Sequence, residues 1–414
     1  MSRWRQLSLT LVVLIVVAGS SFTAGVTAEK DGLLPGAVRT EPPALETQFS
    51  VFWQAWNLVQ EHFVDRKAVD PRTMTYGAIE GMLSSLGDPG HTRFLTPNEA
   101  AMQSSDMSGQ FQGIGAELGQ KDGMLIVVAP LDGSPAQKAG VQAGDALMAV
   151  NGQQVAGMTL DQVVRLVRGP EGTKVTLTVV HPSSTSTTDI TIVRANIEVH
   201  PVSWAMIPGT KVADLRVSQF SANTNRDLLA AIKGIRAAGA TAMVVDVRSN
   251  TGGLLDQCIS VTSQFLSGGN VLIEQDAQGN RKAQPVQPGG QATDIPMVVL
   301  INRGTASAAE IFAGAIQDAN RAKLVGETTF GTGTVLSSYQ LSDGSAVLLG
   351  TSEWLTPKGR QIWKHGIEPD VTVTLPANAT ALTPANVPNM TPDQIRASTD
   401  TQMLKALELL GQKP

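Results

Sequence analysis

Cysteine is nearly absent from this chain: Cys258 stands alone among 414 residues, which excludes an intramolecular disulfide and any thiolate metal cluster. Histidine is scarce too. His62, His91, His181, His200 and His365 are scattered, and no pair has the H-x-x-x-H spacing that sets two imidazoles on one helix face. No metal and no organic cofactor is therefore implied. There is no basic excess either, since 31 Lys and Arg meet 36 Asp and Glu for a net charge of −5, a balance that disfavours nucleic acid as a partner. What is present is apolar substance: 42% hydrophobic residues against 16% charged ones exclude a disordered or fibrous chain, and the length allows two to four domains.

One apolar run stands out, from Leu7 to Ala18. Arg3 and Arg5 precede it, and small residues lead from it to Val26-Thr27-Ala28 ahead of Glu29-Lys30. This is the pattern of a secretory signal over residues 1–28. The run, about 12 residues, is shorter than the roughly 20 that a membrane helix needs, so cleavage after Ala28 is the first reading and an uncleaved anchor the second. Both put the remainder outside the cytoplasm: periplasmic, extracellular, or anchored and facing outward, with this segment as its route to membrane proximity.

The rest divides by periodicity. Over residues 42–101, Trp53, Trp56, Leu58, Val59 and Phe63, then Ile79, Met82 and Leu83, recur at helical spacing and predict a small helical region. It ends in the turn Gly87-Asp88-Pro89-Gly90, followed by His91-Thr92-Arg93, where His91 by itself reads as a loop histidine. Residues 107–199 switch to short β runs at Leu125–Ala129, Ala146–Val150, Val175–Val180 and Ile190–Val193, with one helical stretch over Thr159–Arg168. Residues 201–376 alternate strand and helix, with buried strands at Met243–Val247 and Met297–Ile301 and helices at Asn223–Ala238 and Ala308–Ala319, an α/β pattern. Residues 377–414 read as a linker rich in Pro, Ala and Thr that leads to an amphipathic helix at Thr401–Leu410.

The β-rich segment resembles a PDZ domain. The resemblance rests on Phe111-Gln112-Gly113-Ile114-Gly115-Ala116, on Ser134-Pro135-Ala136 with Ala139-Gly140-Val141, and on Gly144-Asp145-Ala146-Leu147 with Val150-Asn151-Gly152. It implies that the loop Gly113, Ile114, Gly115, Ala116 holds a peptide's terminal carboxylate on backbone N–H groups while the adjoining strand edge pairs with the peptide. The alternative is that these glycines only make turns.

Two strand-to-helix junctions in the α/β segment can carry chemistry. In Asp246-Val247-Arg248-Ser249-Asn250-Thr251-Gly252-Gly253, paired glycines let backbone N–H groups face a ligand. In Asn302-Arg303-Gly304-Thr305-Ala306-Ser307-Ala308, the serine stands at a helix start, where the dipole favours negative charge and the Ala308 N–H can serve an oxyanion hole. The competing reading is structural, because Ser307-x-x-Glu310 is also a capping box.

These junctions, together with Leu324-Val325-Gly326-Glu327-Thr328-Thr329-Phe330-Gly331, Leu341-Ser342-Asp343-Gly344-Ser345-Ala346, Thr356-Pro357-Lys358-Gly359-Arg360 and Gly366-Ile367-Glu368-Pro369-Asp370, resemble the carboxy-terminal processing, or tail-specific, serine peptidases. The likeness covers about residues 45 to 375. It implies a multidomain α/β protein with an amino-terminal helical region, a PDZ domain and a peptidase core of the ClpP/crotonase-like type. It further implies Ser307 as nucleophile, Gly253 and Ala308 as oxyanion-hole donors, and protein or peptide carboxy termini as substrates.

At one place the resemblance breaks. The family's usual base is a lysine in a G-K-G step, with a glutamine four residues on, but here the step is Gly331-Thr332-Gly333 and the later residue is Leu336. A threonine hydroxyl cannot take a serine proton near neutral pH, and a leucine orients nothing. The step Asp88-Pro89-Gly90-His91-Thr92 resembles instead that of superfamily relatives using Ser-His-Glu, which implies His91 as base and Glu368, 61 residues after Ser307, as its orienting acid. Two alternatives remain: a base from Lys358, Lys364 or His365, or an inactive homologue that binds peptides as a scaffold.

Overall fold

The computed structural model describes residues 46–413 apart from 89–90, 122, 132, 183, 199 and 377–378. The expected export signal at 1–28 lies outside the described residues. Among those described, no helix is long and apolar enough to cross a membrane.

The first helix, Glu46–His62, carries Phe49, Phe52, Trp53 and Trp56 at helical spacing, and their rings meet edge-on or tilted, with centroids 5.1 Å apart for Phe52 and Trp53. A second helix, Pro71–Ser84, follows. The region expected as one helical domain does not end as helices alone. Arg93–Leu95 forms a strand that pairs antiparallel with Ala346–Leu348, burying Phe94 and Leu95 while Arg93 stays exposed. His91 is thereby carried into the peptidase core.

Strands Ala116–Lys121, Met124–Pro130, Ala146–Val150, Lys174–Val180 and Thr187–Val193 form the PDZ-like sheet. In Lys174–Val180 every second residue, Val175, Leu177 and Val179, is fully buried. The helix Leu160–Val167 starts at a complete capping box of Thr159 and Gln162 and packs Val163 and Val167 on that sheet's core.

The peptidase core is a six-stranded sheet in the order Val202–Met206, Val212–Val217, Ala242–Asp246, Met297–Ile301, Lys323–Gly326, Val371–Thr372, parallel except for the first strand. Alternation along its strands splits the buried residues between two faces. One face sets Ala213, Leu215, Val217, Met243, Val245, Val299 and Ile301 against helices Thr224–Ala237, Leu255–Ser263 and Ala308–Asp318. The other sets Val212, Val244, Val298, Leu300 and Val325 against Leu382, Val387, Ile395, Met403, Ala406 and Leu407.

The carboxy-terminal segment therefore differs from the expected linker. Its scattered Leu and Val residues are pinned as core, because among the described residues they cover the second sheet face, and apolar strand residues left in water would cost about 25 cal/mol per Å². The sheet's carboxyl end on this face is polar and buried, with Asp214, Asp246 and Arg248 all under 4% exposed. Both oxygens of Asp214 lack a hydrogen-bond partner among the described residues; burial first, and the neighbouring Asp246 carboxylate second, push it well above the usual carboxylate range.

Candidate active site

Strands Ala242–Asp246 and Met297–Ile301 are adjacent and parallel, so the two loops singled out in the sequence leave the sheet side by side at its carboxyl edge. Ser307 closes the second loop with φ 55° and ψ −121°, a backbone state that a side-chain-bearing residue holds only under constraint. Hydrogen bonds supply that constraint. The Ser307 N–H donates to Glu310 Oε2 at 2.9 Å and to the Thr332 hydroxyl at 3.2 Å. Ser307 and Glu310 stand as a capping box, yet the Glu310 N–H takes the Ser307 carbonyl at 2.8 Å, and the serine side chain makes no capping hydrogen bond. Its hydroxyl donates to no described residue.

The first loop fits against the second without room for a side chain. A Cβ at Gly252 would lie 2.7 Å from the Ser307 Cβ and 2.9 Å from the Ala308 nitrogen, and one at Gly253, where φ is +137°, would lie 2.2 Å from the Phe220 carbonyl oxygen. Phe220 brackets the turn: its N–H donates to Gly252 O at 2.9 Å and its carbonyl accepts from Leu254 N at 2.7 Å. Asn250 ties the loops together. Its carbonyl accepts from Ala306 N at 2.9 Å, its Oδ1 from Gly252 N at 2.8 Å, and its Nδ2 donates to Val217 O at 2.9 Å. The N–H groups of Gly253 and Ala308 find no acceptor among the described residues, and Ala308, as the first residue of its helix, has none within it. Two unspent donors beside a serine hydroxyl are what a tetrahedral oxyanion requires.

Glu310 joins this half to the next. It is fully buried, and its carboxylate accepts four hydrogen bonds: from Ser307 N and Thr332 N, each at 2.9 Å, on Oε2, and from Gly331 N and the Thr329 hydroxyl, each at 2.6 Å, on Oε1. Sequence reasoning saw only a capping residue there. Thr332, at the position of the family's lysine, is buried beside Ser307 and accepts its N–H, so the position lies in the site even though the side chain cannot act as base. Leu336 packs with Leu95, Ala346 and Leu348.

His91 meets that segment two residues beyond Thr332, at Thr334. Its Nδ1 is 2.5 Å from the Thr334 hydroxyl and 3.7 Å from Asp88 Oδ2, and its Nε2 contacts no described residue. Asp88 Oδ2 also accepts from the Thr92 hydroxyl at 2.8 Å and N–H at 3.2 Å, while Thr92 Oγ1 accepts from Gly350 N at 3.0 Å, which fixes the turn to the sheet. Burial lowers the His91 pKa below its ordinary 6.5; Asp88 opposes this and Arg93 adds to it. His91 and Ser307 are not hydrogen-bonded. Their respective partners, Thr334 and Thr332, have Cα atoms at most about 7 Å apart along one strand-entering segment, so both residues border the same stretch of chain.

Glu368 and His91 share no hydrogen bond or ion pair among the described residues. The Glu368 carbonyl accepts from Gln317 Nε2 at 2.9 Å, near the carboxyl end of the helix Ala308–Asp318 whose amino end follows Ser307, and its side chain is exposed. Ten residues at 1.5 Å each separate Ser307 and Gln317 by about 15 Å. The acid beside His91 is Asp88, and the hydroxyl on it is Thr334. The sequence signal for Asp88 was its place three residues before the histidine, within the quoted turn; Thr334 had none, because only the strand Thr334–Gln340 brings it there. Of the other candidate bases, Lys364 and His365 do border the segment, since Lys364 N donates to Gly331 O at 2.8 Å, but their side chains are engaged outside it. Lys358 donates its N–H to Asp318 at 2.8 Å at the far end of the same helix, Lys364 lays its ammonium 4.3 Å over the Trp363 ring, and His365 turns Nδ1 to the Trp363 carbonyl at 2.8 Å. Cys258 is buried, which pushes its thiol up to about 12, and its Sγ donates to Ala308 O at 3.1 Å, so it is no nucleophile.

In the PDZ-like part, Gly113 ends the strand Gln110–Gly113, and the carbonyls of Ile114 and Gly115 accept from Ala136 N at 2.8 Å and Leu131 N at 2.9 Å. The N–H groups of Ile114 and Gly115 donate to no described residue. Gly115 has φ +72°, and a Cβ there would meet the Ser134 Cβ at 2.6 Å, so glycine is required for the loop to turn directly before Ala116.

A fold with a PDZ-like sheet, a serine at a strained strand-to-helix junction and two free N–H groups beside it defines a class, a PDZ-bearing serine peptidase. Family comparison agrees: residues 211–373 match the model of peptidase family S41, and residues 126–180 match that of the PDZ domain. The carboxy-terminal processing protease CtpA of Bacillus subtilis is 34% identical over 374 residues, covering 90% of this chain and 78% of that protein. The carboxyl-terminal-processing protease of Synechocystis is 34% identical over 408 residues, covering 97% and 92%. A solved S41 protease from Bacteroides fragilis superposes with a TM-score of 0.52 at 17% identity, over 86% of this chain and 97% of that one, and so shares the fold. This chain belongs to peptidase family S41, as a serine peptidase of the carboxy-terminal processing type.

Proposed function

We propose that this chain is an exported endopeptidase in which Ser307 is the nucleophile and His91, not a lysine, is its base. The observation that carries this is the pairing of two positions on one segment: Thr332 stands in the lysine's place against Ser307, while Thr334, two residues on, holds an imidazole. In the reaction, the Ser307 hydroxyl attacks the peptide carbonyl and passes its proton to His91 Nε2. Gly253 and Ala308 N–H groups take up the oxyanion, and the imidazolium then protonates the leaving amine so that water can release the acyl group. Thr334 and Asp88, on Nδ1, keep the tautomer whose Nε2 lone pair is free. His91 must approach Ser307 by a modest shift as substrate binds, since catalytic hydrogen bonds are commonly long before the complex forms. The PDZ loop Gly113–Ala116 captures a substrate's terminal carboxylate, and the leader at 1–28 directs the chain out of the cytoplasm.

The test is cleavage of an unfolded protein by the secreted form. Ser307→Ala and His91→Ala are each expected to reduce kcat by about 10³-fold or more while peptide binding persists. Full activity in His91→Ala ends the histidine reading. An inactive parent that still binds carboxy-terminal peptides returns the protein to a scaffold role.

A further inference from the structure

The oxyanion loop does not stand on the peptidase sheet alone. Arg248 lies four residues before Gly252, with its side chain 4% exposed, and every nitrogen of its guanidinium is engaged. Nε and the backbone N–H of Arg248 donate to Asp246 Oδ1 at 3.0 and 2.9 Å, and one terminal nitrogen donates to Asp246 Oδ2 at 2.9 Å. The other terminal nitrogen reaches across 152 positions of sequence to both oxygens of Asp400, each at 3.0 Å, and to Gln402 Oε1 at 3.1 Å. Asp400 is the cap of the last helix, Thr401–Leu409, taking Met403 N at 3.0 Å, and it also takes Leu382 N at 2.8 Å. One guanidinium thus joins the carboxy-terminal segment to the strand end from which the loop departs.

The next residue shows why such an anchor matters. Ser249 has φ +57°, an unfavourable state for a residue with a side chain, and it is held by Asn302, whose Oδ1 accepts from Ser249 N at 2.8 Å. Asn250 then fixes Gly252 and Ala306 through the hydrogen bonds described above. From Asp400 to the Gly253 N–H the chain of support is therefore Arg248, strained Ser249, Asn250, Gly252. Only the first member draws on the carboxy-terminal segment.

We propose that Arg248 and Asp400 are positioning residues for catalysis: the carboxy-terminal helix, through this buried ion pair, holds the loop 249–253 in the conformation that aims the Gly253 N–H at the oxyanion. This rests on the reading of Gly253 as an oxyanion donor. It makes the carboxy-terminal segment a part of the active site's frame as well as a cover for the sheet. The guanidinium fork donates two parallel charge-assisted bonds to Asp246, and its remaining nitrogen donates to both oxygens of Asp400, where a neutral amide offers one acceptor oxygen and no charge.

The full-length protein tests this with Asp400→Asn and Arg248→Lys, beside Leu407→Ala as a control that weakens the packing of the same helix without touching the ion pair. Two quantities are read: kcat and KM for a peptide substrate, and amide hydrogen exchange in the segment 249–254. Asp400→Asn is expected to lower kcat about a hundredfold, the effect of roughly 1 Å of misplacement, with KM nearly unchanged and exchange at Gly252 and Gly253 accelerated. Arg248→Lys, which keeps the charge and loses the fork, gives a smaller shift in the same direction. Leu407→Ala lowers the unfolding temperature but leaves kcat and loop exchange at parental values. Parental exchange in Asp400→Asn overturns the proposal, and so does an equal loss in Leu407→Ala. If the parent cleaves nothing, the exchange data alone decide the positioning role, and the peptidase reading falls separately.

Discussion

The proposed nucleophile and the proposed base of this site are held in different ways. Ser307, Gly252 and Gly253 are locked at their own backbone, by the Phe220 main chain, by the Asn250 and Glu310 side chains, and by separations that leave no room for a Cβ. His91 is held by side chains alone, Thr334 and Asp88, on a turn whose neighbours Thr92 and Arg93 join the sheet. The difference teaches where such a site can change. A backbone-built oxyanion hole tolerates little substitution, whereas a base held by side chains can be supplied from another segment, provided some strand brings that segment to the serine. Glu310 lets both coexist, because its four accepted hydrogen bonds fix the spacing between the Ser307 junction and the segment 329–332 whichever side chain stands at 332.

The comparison breaks most severely at Gly253. Gly253→Ala would force a Cβ to within 2.2 Å of a backbone oxygen at φ +137°, so the turn must move and take the N–H with it. A loss of about 10²- to 10³-fold in kcat is expected, measured against an unchanged Kd for a PDZ peptide. On the base side, Thr334→Val is expected to lower kcat by about tenfold, because it removes one neutral hydrogen bond from Nδ1 and leaves Asp88 in place.

The pH profile sharpens the same contrast. Only neutral His91 accepts a proton, and its pKa is lowered by burial, so kcat/KM should fall on the acid side with a midpoint below 6.5 and be fully developed at neutral pH. A midpoint above 6.5, or an alkaline limb typical of an amine base, would point away from His91. The smallest effect belongs to Glu368→Gln. With the carboxylate exposed and its backbone carbonyl on Gln317, kcat should stay within about twofold of the parent in a steady-state assay.

Much of this could be read from residues alone. The strand Met297–Ile301 and the helix following Ser307 lie where periodicity placed them, since five buried apolar residues in a row and an alanine-rich helix leave few alternatives. The paired glycines at 252 and 253 could be read for what they permit, because a position without a Cβ marks a close approach before its neighbour is known. Glu368 was singled out by its sixty-residue spacing after the serine, and spacing alone does not say where along the neighbouring helix the chain passes; its carbonyl meets Gln317. The strap over the second sheet face was misjudged for a related reason: proline, alanine and threonine between Leu382 and Ile395 look like a linker until Val244, Val298 and Val325 are seen to need cover.

By itself, then, the sequence determined the inventory: an α/β core, a PDZ-like segment, a serine at a helix start, and a threonine where a lysine is usual. Each follows from local pattern, from periodicity, turn residues and motif. Only the tertiary structure decided which groups meet across long separations: His91 with Thr334, 243 positions apart, and Arg248 with Asp400, 152 apart. Such meetings depend on sheet register and on which face each strand turns to its cover, and both are settled by packing the chain as a whole.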